Sequence, residues 1–380
     1  MNSFAATAAS RIQTIAESKT TKVFDLANRL RHQGRDIINL AVGEPDFATP
    51  DPVIKATQAA LTARETRYGP VAGMDALRQK LADGFNDANA ENILITNGAK
   101  QALFSLFQVL CDPGTEVIVP APCWVSFTEQ IKLAGGSPIL VETPGHQLDP
   151  DRIEKALSSR TRAILINTPN NPTGAVYGAQ ALTAVADLAQ EHGLYLIADE
   201  AYHVCCFDRP HLPVRDISPD PRRVITVRSF SKHYNMTGFR IGYVAADPQI
   251  IQALTKLQGH VSGNVCTFAQ YGALAALEMD QDIVDQRRSV LAQRRDLAFE
   301  QVSDLFPCVK AQGAFYLFPS ISQRLRPNQT SADLAMVLLK NAGVAVVPGD
   351  AFHGPGHIRI SFAVSEDKLN QAFERIRSIL

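Results

Sequence analysis

A lysine set among hydroxyl groups and an arginine is the first feature of this sequence that could do chemistry. The stretch SFSKHYNMTGFRIGY, residues 229–243, places Lys232 beside Ser229 and Ser231 and eight residues before Arg240. The segment is otherwise apolar enough to be buried, and a buried ammonium is unfavourable unless it is paired or neutralised. Two interpretations follow: a surface turn with a solvated lysine, or a lysine held as an imine beside a phosphate that the hydroxyls and the arginine bind.

A second motif could bind the anion. In ITNGAKQALF, residues 95–104, a strand ends, the chain turns at Gly98 and Ala99, and a helix begins at Lys100. The free N–H groups and the dipole of a helix N-terminus attract an anion, and a glycine lets the anion come close. Turns of this kind are common in α/β sheets, so the motif needs the others for support.

Two more motifs follow predicted strands. In INTPNNPTGAVY, residues 166–177, the amide of Asn171 could donate to a ligand oxygen or could satisfy its own backbone in a turn. In LIADEAYHV, residues 196–204, Asp199 stands at the carboxyl end of an apolar strand, where ligand crevices of open α/β sheets form. Tyr202 follows three residues later, as a ligand contact or a packed aromatic residue.

The elements that must position these residues are visible as alternating patterns. Short apolar runs typical of strands lie at 92–96, 116–120, 138–142, 163–167, 194–198, 223–227 and 241–245. Helical patterns separate many of them, at 100–111, 125–134, 151–158 and 179–191. The alternation predicts a mostly parallel sheet with helices on both faces. The last two runs have no clear helix between them, so we expect at least one antiparallel edge.

The C-terminal third has a different pattern. Residues 268–304 are predicted to be helical with few breakers, and a helix over 331–341 ends at Gly343. Together with the strand-like runs GAFYLF, VAVVP and HIRISF, these helices predict a smaller α+β unit. We expect residues 15–45 to pack against that unit.

Composition narrows the class of protein. The 380 residues are 46% apolar and 20% charged, which is typical of a globular protein with room for two domains and argues against disorder. A formal net charge of -1 gives no electrostatic case for binding nucleic acid or an anionic membrane. The six cysteines show no C-x-x-C spacing, and no apolar run is long enough to suggest a membrane span. The start, MNSFAATAASRIQ, lacks the features of a signal peptide, so we expect a cytoplasmic protein.

Taken together, the motifs resemble those of the class I/II aminotransferases, which use pyridoxal 5'-phosphate on fold type I. The pieces that carry the resemblance are VGEPDF, YGPVAG, PAPCWVSF, NNPTG, ADEAY, SFSKHYNMTGFRIGY, GAFY and RISF, spread over nearly the whole chain. NGAKQALF and TPNNPTGAVY are most similar to the shorter bacterial aspartate aminotransferases. The resemblance implies a large α/β domain over 46–280, with a mostly parallel seven-stranded sheet, and a small α+β domain from 1–45 and 281–380.

The resemblance also implies the catalytic roles. Lys232 would hold the cofactor aldehyde as a Schiff base and then move the proton from Cα, in a ping-pong exchange between an L-amino acid and a 2-oxo acid. Asp199 would keep the pyridine nitrogen protonated. Asn171 and Tyr202 would donate to the phenolic oxygen and so lower the pKa of the imine.

Further cofactor contacts are implied in the same way. Trp124 would stack on the ring, and the phosphate would be held by the backbone of Gly98, Ala99 and Lys100 and by two side chains. One is Arg240, whose forked guanidinium suits a phosphate. The other is Ser229 or Ser231, and the sequence does not decide which of the two serines contacts the phosphate.

Tyr68 would reach the phosphate from a neighbouring subunit. The implied assembly is therefore a homodimer with shared active sites.

Substrate contacts complete the set. Arg359 would clamp the α-carboxylate of the substrate in a bidentate contact, with backbone from Gly43 nearby. The side chain of Lys100 would meet the distal carboxylate of a dicarboxylic substrate, so aspartate and glutamate are the expected donors. Cys123, His233 and Phe239 stand where the family often has other residues, and the first two are expected to affect substrate preference.

Several alternatives stay open or are disfavoured. A carbon–sulfur β-lyase of the same fold, or an aminotransferase for aromatic amino acids or prephenate, would share Lys232, Asp199 and Arg359. A transcription regulator would need a DNA-binding domain, which we do not expect because the motifs begin by residue 42. No G-x-G-x-x-G follows a predicted strand and no H-E-x-x-H is present, which argues against a nicotinamide dehydrogenase and a metallohydrolase.

Overall fold

The computed structural model describes residues 9–16 and 19–380 of the chain. Its strands are β1 (Ile38–Asn39), β2 (Ile93–Thr96), β3 (Glu116–Ala121), β4 (Ser137–Glu142), β5 (Thr161–Asn167), β6 (Tyr195–Asp199), β7 (Val224–Ser229), β8 (Gly242–Ala245), β9 (Tyr316–Leu317), β10 (Val344–Ala345), β11 (Val347–Pro348) and β12 (Ile358–Ser361). Residues 1–8, which carry most of the segment judged not to be a signal peptide, lie outside the described residues.

The α-helices alternate with the strands through the first two thirds of the chain. They are α1 (Ser10–Gln13), α2 (Lys19–His32), α3 (Asp51–Thr62), α4 (Asp75–Ala82), α5 (Gly98–Leu110), α6 (Ser126–Leu133), α7 (Pro150–Lys155), α8 (Ala179–Glu191), α9 (Val214–Ile217), α10 (Phe230–His233), α11 (Pro248–Val261), α12 (Thr267–Glu278), α13 (Gln281–Ser303), α14 (Ser331–Val337) and α15 (Glu366–Arg377). None of the helices in the described part of the chain combines the length and the apolar character that crossing a membrane requires.

Seven strands form the large sheet, in the order β2-β8-β7-β6-β5-β3-β4. The pairs from β7 through β6, β5 and β3 to β4 are parallel, whereas β8 is antiparallel to both β7 and β2. The expected antiparallel edge is therefore confirmed. Because crossover helices cover both faces, the central strands are apolar along their length instead of alternating with polar residues.

Helices bury the two faces of this sheet in separate cores. Along β3, Val117 and Val119 point into a core formed with α5, α6 and α11, while Ile118 points into a core formed with α7 and α8. This alternation follows from the two-residue period of a strand. Sheet and helices thus form three layers, with the carboxyl ends of β5, β6 and β7 at one edge.

A smaller set of strands joins the two ends of the chain. β1 pairs in parallel with β10, and the antiparallel strands β11, β12 and β9 form a second small sheet. Within the expected segment 15–45, α2 and β1 therefore pack against the C-terminal part, whereas the Ala16 N–H donates to Glu129 of α6. The division into domains at residues 45 and 280 stays a prediction.

Two helical expectations need correction. The predicted helix over 268–304 is two helices, α12 and α13, because the chain is extended at Met279 and Asp280 then caps α13 by accepting from the N–H of Asp282. The predicted helix over 331–341 is α14 followed by a short π-helix, Leu338–Ala342, which ends at Gly343 with φ 67°.

Candidate active site

A cavity of about 520 Å³ lies at the carboxyl ends of the parallel strands, beside the N-terminus of α5. This is the edge where open α/β sheets bind ligands. Twelve of the fourteen residues proposed from the sequence line it: Gly43, Ala99, Lys100, Trp124, Asn171, Asp199, Tyr202, Ser229, Ser231, Lys232, Arg240 and Arg359. Its volume suits a small-molecule ligand together with a substrate.

Lys232 is held in the short helix α10, directly after β7 ends at Ser229. Its Nζ donates to the carbonyl oxygen of Gly43. Burial lowers the pKa of the Lys232 ammonium to about 8; Glu44 opposes this, while Arg240 and Arg359 add to it. A neutral amine is therefore accessible near neutral pH, which is what a nucleophile or a proton acceptor requires.

One end of the cavity is built to receive an anion. Gly98 begins α5 with φ 76°, and a Cβ at that position would lie 2.7 Å from Nη2 of Arg240. The absent side chain thus lets the guanidinium approach the free N–H groups of the helix. Arg240 itself lies in the left-handed region at φ 57°, a strained conformation of the kind that clusters at functional sites.

The hydroxyls of Ser229 and Ser231 border the same part of the cavity. Ser229 Oγ accepts a hydrogen bond of 3.1 Å from the N–H of Ser231, so it also caps α10. Both serines line the cavity, and the choice between them as the anion contact stays open.

Two neighbouring acids at the end of β6 have opposite environments. Burial raises the pKa of Asp199 to about 7, and Glu200 adds to this against one hydrogen bond of 3.1 Å that the Ala201 N–H donates. Glu200 is also buried, but Arg228 at 2.8 Å and then His211 lower its pKa to about 2. Asp199 lines the cavity, whereas Glu200 does not and is already paired with Arg228, so a cationic group in the cavity would meet Asp199 and favour its ionised form.

Asn171, Tyr202 and Arg359 form a connected group on the cavity wall. The Asn171 amide donates to Tyr202 Oη at 3.5 Å, and its Oδ1 accepts from Nη1 of Arg359 at 3.0 Å. Arg359 also donates through Nη2 to the carbonyl oxygen of Ala41 at 2.9 Å. Its Nε is buried and has no hydrogen-bond partner within the described residues, so the guanidinium can still take an acceptor.

Lys100 lies against Trp124 on another wall. Its Nζ is 5.1 Å from the centroid of the indole ring, within the range of a cation–π contact. Burial and then the charge of Arg240 lower the pKa of the Lys100 ammonium. The side chain therefore borders the cavity, although the residue as a whole is exposed on the single chain.

Comparison with known proteins decides the family. The family model for aminotransferase class I and II matches residues 35–376. The chain belongs to the class I and II aminotransferases. An aspartate aminotransferase of Geobacillus stearothermophilus is 37% identical, covering 98% of each chain. An aspartate/prephenate aminotransferase of Thermus thermophilus is 40% identical over 97% of this chain and 98% of that protein.

Solved structures agree with this assignment. The structure of aspartate aminotransferase from Thermus thermophilus with maleate has a TM-score of 0.94 at 39% identity, covering 98% of this chain and 100% of that one. The predicted family, its fold-type-I architecture and the aminotransferase activity are therefore confirmed.

Five residues of the aminotransferase cavity were not proposed from the sequence: Ala41, Val42, Asn167, Ala201 and Tyr316. Asn167 ends β5, so the strand-end argument that selected Asp199 could have found it. Tyr316 is part of the GAFY motif, but nothing in that motif assigned it a role. The other three contribute backbone or methyl groups, which leave no chemical signal in a sequence.

Two of the proposed residues lie outside the cavity lining of the aminotransferase. Gly98 stands directly behind it, against Arg240. Tyr68 is 97% exposed on the single chain and does not reach the cavity. Cys123 and His233 do not line the cavity either, so their effect on substrate preference would have to be indirect.

Proposed function

We propose that this aminotransferase is an aspartate aminotransferase that depends on pyridoxal 5'-phosphate. It would move the amino group between a dicarboxylic L-amino acid and a 2-oxo acid. The observation that carries the proposal is that Lys232, Asp199, Lys100 and Arg359 all face one cavity. The names of the relatives, aspartate or aspartate/prephenate aminotransferase, support it. So does the dicarboxylate maleate named with the Thermus thermophilus structure.

The residues present suit this cofactor. The cradle at Gly98, with Ala99 N–H, Arg240 and a serine hydroxyl, matches a phosphate, and the buried carboxylate of Asp199 matches a protonated ring nitrogen. Lys232 Nζ would bind the cofactor covalently, and Asn171 and Tyr202 would donate to its phenolic oxygen. When bound, the cofactor supplies an electron-withdrawing ring that stabilises negative charge at the substrate Cα.

Different side chains would act on different groups of the amino acid substrate. Arg359 holds the α-carboxylate through its guanidinium, which Asn171 and Ala41 already orient. The neutral Nζ of Lys232 takes the proton from Cα and returns it, since burial lowers its pKa to about 8. Trp124 forms part of the cavity wall and helps to exclude water from the position where the Cα proton is transferred.

Lys100 is the residue that would select dicarboxylic substrates. Replacing it with alanine should lower kcat/KM for aspartate roughly ten- to a hundredfold more than for alanine or phenylalanine, because only aspartate loses an ion pair in a partly closed site. The test is a panel of amino donors compared between the wild-type enzyme and Lys100→Ala. The wild-type enzyme should prefer aspartate and glutamate.

A matched control is Lys132→Ala, which removes a lysine of α6 paired with Glu129 outside the cavity and should leave the preference unchanged. Equal losses for all donors in Lys100→Ala would limit Lys100 to the phosphate or the fold. A wild-type enzyme that prefers aromatic donors would contradict the assignment to aspartate.

We also propose that the enzyme is a homodimer in which Tyr68 completes the partner's site. An aromatic side chain that is 97% exposed is unusual, and Ile54, Leu61 and Val261 are exposed as well.

We further propose a cytoplasmic location, which the six free cysteines support.

Hybrid dimers test the shared site. Mixing Tyr68→Ala subunits with Lys232→Ala subunits should recover about a quarter of wild-type activity under statistical exchange, because half of the dimers then hold one intact site of two. Each variant alone should be far less active. Absence of recovery, with subunit exchange shown by mass spectrometry of tagged chains, would place Tyr68 and Lys232 outside a common site.

A further inference from the structure

Tyr316 contacts several parts of the site at once. It is fully buried at the start of β9, and its hydroxyl lies 3.1 Å from that of Tyr202. The guanidinium of Arg359 lies over its ring, 4.2 Å from the centroid. The same guanidinium is 4.9 Å from the ring centroid of Phe352, which ends the short 3-10 helix Gly349–Phe352 after β11. A Cβ on Gly43 would be 3.5 Å from the Tyr316 hydroxyl.

The direction of the hydrogen bonds follows from counting donors. Arg359 donates to Asn171 Oδ1, so the amide nitrogen of Asn171 is the atom that faces Tyr202. A phenol has one proton and two lone pairs. If Tyr316 also donates, both lone pairs of Tyr202 are occupied, and its single proton is directed into the cavity.

We propose that Tyr316 is a positioning residue with two tasks: its hydroxyl donates to Tyr202 and directs the Tyr202 proton at the cofactor oxygen, and its ring supports Arg359 for the substrate carboxylate. The first task also strengthens Tyr202 as a donor, because a hydroxyl that accepts hydrogen bonds is polarised. The second follows from the cation–π contact, which fixes the plane of the guanidinium. This inference rests on the proposed function.

Two variants separate the tasks. Tyr316→Phe removes the hydroxyl and keeps the ring, whereas Tyr316→Leu removes both. The first readout is the pH midpoint of the absorbance of bound pyridoxal 5'-phosphate in the holoenzyme. The second is the dissociation constant of maleate, an unreactive dicarboxylate, from the same preparation. Tyr177→Phe is the control, since it removes another buried phenol hydroxyl outside the cavity.

Tyr316→Phe should raise the midpoint by roughly 0.2–0.6 pH unit, because the anionic oxygen of the cofactor loses donor strength, and should leave maleate binding within about twofold. Tyr316→Leu should raise the midpoint similarly and weaken maleate binding roughly three- to tenfold. Tyr177→Phe should change neither.

An unchanged or lowered midpoint in Tyr316→Phe would overturn the donor role, since a Tyr316 that accepts from Tyr202 would compete with the cofactor. Equal maleate affinity in Tyr316→Leu and Tyr316→Phe would overturn the ring's role. A wild-type protein that binds no pyridoxal 5'-phosphate at Lys232 would instead contradict the proposed function.

Discussion

Replacing Lys232 with alanine should reduce transamination on the order of 10⁴-fold, because one nitrogen both holds the cofactor and moves the Cα proton. The site offers this nitrogen in a usable form, since burial lowers its pKa to about 8. The measurement is the steady-state rate with aspartate and 2-oxoglutarate, at matched cofactor occupancy. Borohydride reduction of the wild-type holoenzyme followed by peptide mass spectrometry should find the cofactor on Lys232.

A second variant separates chemistry from charge. Lys232→Arg keeps a cation beside the Gly43 carbonyl but has no amine that can be deprotonated near neutral pH, so it should be as inactive as Lys232→Ala. Appreciable activity in Lys232→Arg, or cofactor attached to a different lysine, would show that the assignment is wrong.

Replacing Asp199 with asparagine should lower kcat by roughly 10²- to 10⁴-fold while cofactor stays bound. The carboxylate is buried at the end of β6, where it would hold a proton on the ring nitrogen. Asparagine keeps the shape but not the charge. The kcat of holoenzyme and its cofactor content are the measurements, and near-normal turnover would contradict the role.

Asp149→Asn is a suitable control, because Asp149 caps α7 and does not line the cavity, and asparagine caps a helix equally well.

We also expect Asp199→Asn to change the stability of the cofactor-free protein in a way that depends on pH. Burial raises the pKa of Asp199 to about 7, above the value of about 4 in an unfolded chain. Between these values the folded state binds more protons than the unfolded state, so this group's contribution to stability falls as pH rises. The Tm of cofactor-free Asp199→Asn, relative to wild type, should therefore increase from pH 5 to pH 8. A difference independent of pH would mean that Asp199 ionises normally.

The parts of the site that could be predicted share one physical origin. Asp199 and Ser229 end parallel strands, and Gly98 begins a helix that follows a strand. The carboxyl ends of parallel strands meet at one edge of a sheet, so local patterns are enough to bring such residues together. The short apolar runs predicted the seven strands of the large sheet, although they could not give their order.

Local pattern was insufficient where a short segment decides the structure. The run 268–304 contains few helix breakers and none near residue 279, yet the chain leaves the helix at Met279, and the Asp280 side chain caps α13. A capping residue inside a helical pattern is compatible with either outcome.

What the sequence by itself determined is therefore the set of reactive groups and the family that uses them. The tertiary structure alone decided which groups touch. Tyr202 and Tyr316 are 114 residues apart, yet their hydroxyls lie 3.1 Å from each other, and Arg359 meets Asn171 across 188 residues. Lys100 Nζ lies over the Trp124 ring at the cavity wall, whereas Tyr68 does not line the cavity of its own chain. No periodicity encodes such contacts, because they arise only when separate layers pack and each side chain takes the direction its neighbours leave open.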